Sequence, residues 1–123
     1  MRFLIATAVT AFFLLGTANA ADEYIGSWGA GSQELLKISK QGETFSAEFF
    51  RKNVQSKYEN VRFPAELVDG VFTIKGEHGN VSAKYDASKE LLMLGGVKEF
   101  KKLSSEQAAL QLEALLEKLK AEN

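Results

Sequence analysis

The chain has one histidine, His78, and no cysteine, so any chemistry needing an imidazole must run through that single residue. His78 falls in Glu77-His78-Gly79-Asn80, a run with the composition of a tight turn, and no ligand set surrounds it in sequence. A Ser-His-acid triad would have to be assembled around it without a Gly-x-Ser-x-Gly elbow, which is absent. Gly26, Gly29 and Gly31 do not stand between a strand and a helix, so they make no phosphate cradle. Glu48, Glu66, Glu77 and Glu99 are spaced as ordinary strand and turn residues, and no acidic loop has calcium-site spacing. These residues assign no catalytic group, no metal ligand and no cofactor. The expectation is a protein that is not an enzyme. The remaining candidates are rings: Phe45, Phe49, Phe63, Phe72, Tyr85 and Phe100 recur on one phase of an alternating pattern and could line an apolar ligand site.

That phase belongs to strands. Leu36 and Ile38 alternate with Lys37 and Ser39; Phe45, Ala47 and Phe49 with Ser46 and Glu48. Val61, Phe63, Ala65 and Leu67 alternate with Arg62, Pro64 and Glu66; Val81, Ala83 and Tyr85 with Ser82 and Lys84. Period two means one buried and one wetted face, as in antiparallel sheet. Turn formers fall between the runs, among them Lys40 to Glu43, Asp69-Gly70, Glu77 to Asn80, Asp86 to Lys89 and Gly95-Gly96. The strands predicted are 24–29, 34–40, 44–52, 60–68, 71–77, 80–86, 90–94 and 97–103. Asp69-Gly70 predicts a type I′ hairpin, and Pro64, which lacks an N–H, an edge, bulge or bend. No gap holds a crossover helix, so the strands pair in order as an up-and-down meander. Closure into an eight-stranded barrel removes the exposed edges; a strongly curled open sheet is the alternative.

After Leu103 the period changes. Ser104 is an N-cap with Gln107 as its capping-box partner, and Ala108, Leu112, Leu115, Leu116 and Leu119 follow at helical spacing. One amphipathic helix over 104–123 is expected to pack on the sheet. A two-chain coiled coil through the same stripe is the alternative, and the expectation is a monomer.

The N-terminus has the layout of a secretory leader: Arg2, an apolar run from Phe3 to Leu15, Gly16, then Ala18-Asn19-Ala20. Residues 1–20 are expected to be a signal peptide cleaved after Ala20, leaving a periplasmic or secreted domain with the barrel over 21–103. The mature charge is nearly balanced, since cleavage removes Arg2 from 15 basic residues and none of the 16 acidic ones. That balance argues against a nucleic-acid partner, and no later apolar run is long enough to insert in a membrane.

Gly26-Ser27-Trp28, at the head of the first strand, resembles the Gly-x-Trp start of the lipocalins and related calycin barrels. The resemblance implies that Trp28 plugs the closed end of a barrel, that Gly26 lets the chain turn into the strand, and that a small exported bacterial lipocalin-like protein is the nearest description. The resemblance bears on fold more than on activity; a binding role for a small apolar or amphipathic ligand is expected from the barrel and its aromatic strand residues. A second possibility is a protein-interaction role, as an inhibitor or immunity-type partner of an exported hydrolase. Its surface would be the connection 53–60, with Gln55, Lys57 and an exposed Tyr58 as contacts.

Overall fold

The computed structural model describes residues 22–122; the leader expected over 1–20 lies outside the described residues. Eight strands follow one another: β1 (Gly26–Gly29), β2 (Leu35–Gln41), β3 (Thr44–Lys52), β4 (Tyr58–Val68), β5 (Val71–Gly76), β6 (Gly79–Asp86), β7 (Leu91–Leu94) and β8 (Lys98–Lys102). Each pairs antiparallel with the next, and β8 returns to β1 through Trp28↔Lys102 and Gly29↔Lys101. The meander is therefore a closed barrel rather than an open curled sheet. The closing seam has only those two register pairs, against eight between β3 and β4.

The alternation sets which side chains enter the barrel. Trp28, Leu36, Ile38, Phe45, Ala47, Phe49, Ala65, Phe72, Ile74, Ala83, Leu92, Leu94 and Phe100 form one buried core. Cross-strand register keeps them in layers: Phe45 faces Ala65, Ala47 faces Phe63, and Phe72 faces Ala83. A small residue opposite a ring lets eight short strands close without overpacking. The β4–β5 turn fixes this register. Asp69 (φ 52°) and Gly70 (φ 80°) both take positive φ, as a type I′ hairpin requires. Gly26 sits at φ 143°, and a Cβ there would meet the Lys102 ammonium at 2.5 Å. Pro64 marks the expected interruption: β4 pairs with β5 only from Ala65 to Val68, while residues 58–65 continue to pair with β3. With no N–H to offer, Pro64 is where the β4–β5 ladder stops.

Outside the barrel lies α1 (Ser105–Glu122). Its start is the capping box: the Gln107 N–H donates to Ser104 Oγ at 3.1 Å, and the Ser104 N–H donates to Gln107 Oε1 at 3.1 Å. Leu112, Leu115 and Leu119 pack on Leu35, Phe50, Tyr58 and Leu103, a second apolar cluster on the outer wall. The stripe thus covers the barrel of its own chain. Leu116, expected in the same stripe, instead faces outward and is 46% exposed. The wall it would have to reach is convex, and one row of leucines suffices to cover it.

The end opposite the mouth is filled by rings. Tyr24, from the segment before β1, stacks on Phe72 at 4.5 Å between centroids and 9° between planes. Phe45 meets Phe72 edge-on at 5.2 Å, and Tyr85 meets Trp28 edge-on at 5.5 Å. Burial disfavours the charged phenolate and pushes the Tyr24 hydroxyl above its ordinary value of 10.0, partly offset by a hydrogen bond with the Tyr85 backbone. The neutral ring's contribution is therefore complete below that ordinary value and lost as pH rises through the raised folded one. Urea denaturation at about pH 9 and about pH 11 should show stability falling with pH. In Tyr24→Phe that alkaline loss should be smaller; an unchanged loss would place its origin elsewhere.

Candidate functional site

At the other end the barrel is open. The connections β1–β2, β3–β4, β5–β6 and β7–β8 surround a cavity of about 700 Å³ that opens to solvent. Phe49, Phe63, Ile74, Val81, Leu94 and Phe100 form its apolar walls. Phe49 touches both neighbouring rings edge-on, Phe63 at 6.0 Å and Phe100 at 6.5 Å between centroids. Its size falls within the range of small-molecule pockets, which run from about 300 to 1,000 Å³.

The six rings named from the sequence divide between the two ends. Phe49, Phe63 and Phe100 line the cavity. Phe45, Phe72 and Tyr85 belong to the packed floor with Tyr24 and Trp28. The division comes from Tyr24, which lies ahead of the alternating pattern and drops in beneath Phe72. Trp28 is fully buried in that floor, its Nε1–H donating to the Tyr24 carbonyl at 3.1 Å, with the Lys102 ammonium 4.5 Å above its ring.

Four charged residues that form two ion pairs at the mouth were not singled out from the sequence. Arg51 and Glu59 are register partners on β3 and β4, and Arg51 Nε donates to Glu59 Oε2 at 3.1 Å. The Arg51 guanidinium also lies over the Phe49 ring at 4.8 Å. Lys98, at the start of β8, donates to Glu34 Oε1 and stands over the Phe100 ring at 5.7 Å. The signal was present: the phase that sends Phe45, Ala47 and Phe49 inward sends Arg51 inward too, and Glu59 precedes Val61 and Phe63 in the same way. A charge on the inner phase near a strand end marks a mouth.

His78 lines the same mouth on the β5–β6 hairpin and is exposed. Among the described residues no group of three or more His, Asp or Glu gathers around a point where a metal could sit. The helix holds two of the four mouth connections. Gln111 Nε2 donates to the carbonyls of Gly31 and Glu34 at 3.0 and 2.8 Å. The Tyr58 N–H donates to Glu122 Oε2 at 2.6 Å, and Lys118 Nζ donates to the Tyr58 hydroxyl at 3.2 Å.

The last contacts correct the expectation that Tyr58 is an exposed loop residue. β4 begins at Tyr58 rather than residue 60, which puts the ring on the outer wall, half-buried under α1. Gln55 and Lys57 do lie in the connection and are exposed. Asn53 folds that loop: its Oδ1 accepts from the Gln55 and Lys57 N–H groups at 2.9 and 3.1 Å. Val54 is left fully exposed on the loop.

Compared with protein families, curated proteins and solved structures, the chain matches none.

Proposed function

We propose that this protein is an exported, non-catalytic, lipocalin-like module that holds a small apolar or amphipathic molecule in the open end of its barrel. The observation that carries the reading is the 700 Å³ cavity with aromatic and aliphatic walls and a charged mouth. Such a site takes an apolar body inside and leaves the polar end of the ligand at the water boundary. The floor of packed rings beneath it gives the walls a fixed shape, which reduces the ordering cost of binding. Export rests on the leader pattern over 1–20, and the protein recovered outside the cytoplasm should begin at Ala21 by intact mass.

The test is thermal unfolding of delipidated protein with a panel of long-chain alcohols, fatty acids and retinoids. A ligand present at a hundredfold excess over its Kd stabilises by about 2.7 kcal/mol, which raises Tm by about 10 °C or more in a domain of this size. Val81→Trp, which fills the cavity from its half-buried wall, should remove the shift while leaving the fold intact. No shift with any member of the panel would count against the reading.

A second reading is favoured by Val54, an apolar side chain held fully exposed on a braced loop beside Gln55 and Lys57. An exported protein partner docking there would be lost in Val54→Asp, as read by cross-linking in extracytoplasmic extract.

A further inference from the structure

Resting on the reading of the cavity as a ligand site, we infer that its ligand carries an uncharged polar head, a hydroxyl or amide, rather than a carboxylate or an ammonium group. The charges at the mouth alternate in one arc. Lys98 pairs with Glu34, and Arg51 pairs with Glu59 at 3.1 Å. Glu34 directly precedes Leu35, whose register partner is Phe50, and Arg51 directly follows Phe50, so the two pairs stand side by side. These four run positive, negative, positive, negative around the wall, and the cavity's other acidic and basic lining residues, Lys52 and Glu77, add one charge of each sign, so the two signs balance.

An anionic head placed against Arg51 is also placed between Glu34 and Glu59. A cationic head placed against Glu34 is also placed between Lys98 and Arg51. Attraction and repulsion largely cancel, while the cost of stripping water from the charged head remains. Glu34 is the more committed member, only 12% of its side chain being exposed, so its carboxylate is not free to turn toward a ligand. Nor does any polar atom wait for a charged partner. Among the described residues no buried side-chain nitrogen or oxygen lacks a hydrogen bond. The two cations further spend their exposed faces on Phe49 and Phe100, the rings that form the cavity wall. A hydroxyl or amide loses little on leaving water and can share hydrogen bonds with these groups without breaking a pair.

The experiment compares three probes with the same chain, dodecan-1-ol below its solubility limit and dodecanoate and dodecylammonium below their micellar concentrations, by calorimetry near neutral pH on the mature protein. Dodecan-1-ol should bind at least about tenfold more tightly than either charged probe. Glu59→Gln leaves the arc with one excess positive charge and should tighten dodecanoate by about tenfold; Lys98→Gln leaves one excess negative charge and should do the same for dodecylammonium. Circular dichroism confirms that each variant folds, and the wild-type ranking decides the matter if one does not. Equal binding of all three probes overturns the neutral head and leaves the cavity a ligand site. Binding of none overturns the ligand reading as well.

Discussion

Replacing Trp28 by alanine should cost about 3–5 kcal/mol of folding stability, the largest single loss expected in this protein. The ring is fully buried, and three elements depend on it. Its Nε1–H ties the segment before β1 to the barrel through the Tyr24 carbonyl, its edge meets Tyr85 on β6, and its face supports Lys102 on β8. Trp28 and Lys102 are also one of the two register pairs that close the β1–β8 seam. The substitution therefore opens a cavity where the barrel is least paired. A loss of that size is a large share of the roughly 5–15 kcal/mol that a domain typically has. Urea unfolding followed by far-UV circular dichroism measures it, since Trp28 is the only tryptophan and the variant has no indole signal. Trp28→Phe separates ring from hydrogen bond: it keeps an aromatic filler, loses the bond to Tyr24, and should cost only about 1 kcal/mol plus the smaller ring's lost packing. A Trp28→Ala protein as stable as the parent would remove the floor from this description.

The floor also shows what the sequence could and could not convey. Strands, turns and helix were legible because each is written locally: alternation in β3 and β6, positive-φ residues at Asp69-Gly70, a Ser-x-x-Gln box at Ser104. Closure followed from the need to remove sheet edges, but its seam is not written locally: Trp28↔Lys102 joins residues far apart in the chain, and alternation alone is the same in a barrel and a curled sheet. The six candidate rings were legible as inward-facing, yet only three reach the cavity. Which three depends on Tyr24, a residue outside the alternating runs, and on how much of the interior it fills together with Phe72. Space left over is a property of summed volumes and has no signature at any single position. Tyr58 fails for a related reason. Its neighbours Lys57 and Asn60 read as loop, but the helix end that covers it comes from residues 118–122, unseen from position 58.

The helix supplies the second large effect. Leu115→Ala should cost about 2–5 kcal/mol, whereas Leu116→Ala, one residue on, should stay within about 0.5 kcal/mol of the parent. Both leucines have the same helix propensity, and composition alone makes them equivalent. Their surroundings differ: Leu115 is 1% exposed between Leu35 and Phe50, and Leu116 is 46% exposed on the outer side of α1. Truncating Leu115 removes the contact that covers β2 and β3, and it loosens the helix that anchors the Glu34 carbonyl through Gln111. The loss should thus appear twice, as a lower melting temperature by circular dichroism and as weaker retention of any amphiphile that the wild-type cavity holds. Equal losses at 115 and 116 would mean that the helix lies on the barrel in a different rotation, or that its stripe meets a second copy of the chain. Sedimentation would then show a dimer. A large loss at 115 alone, with a monomer throughout, ties the helix to its own barrel wall and makes it the strut that sets the shape of the mouth.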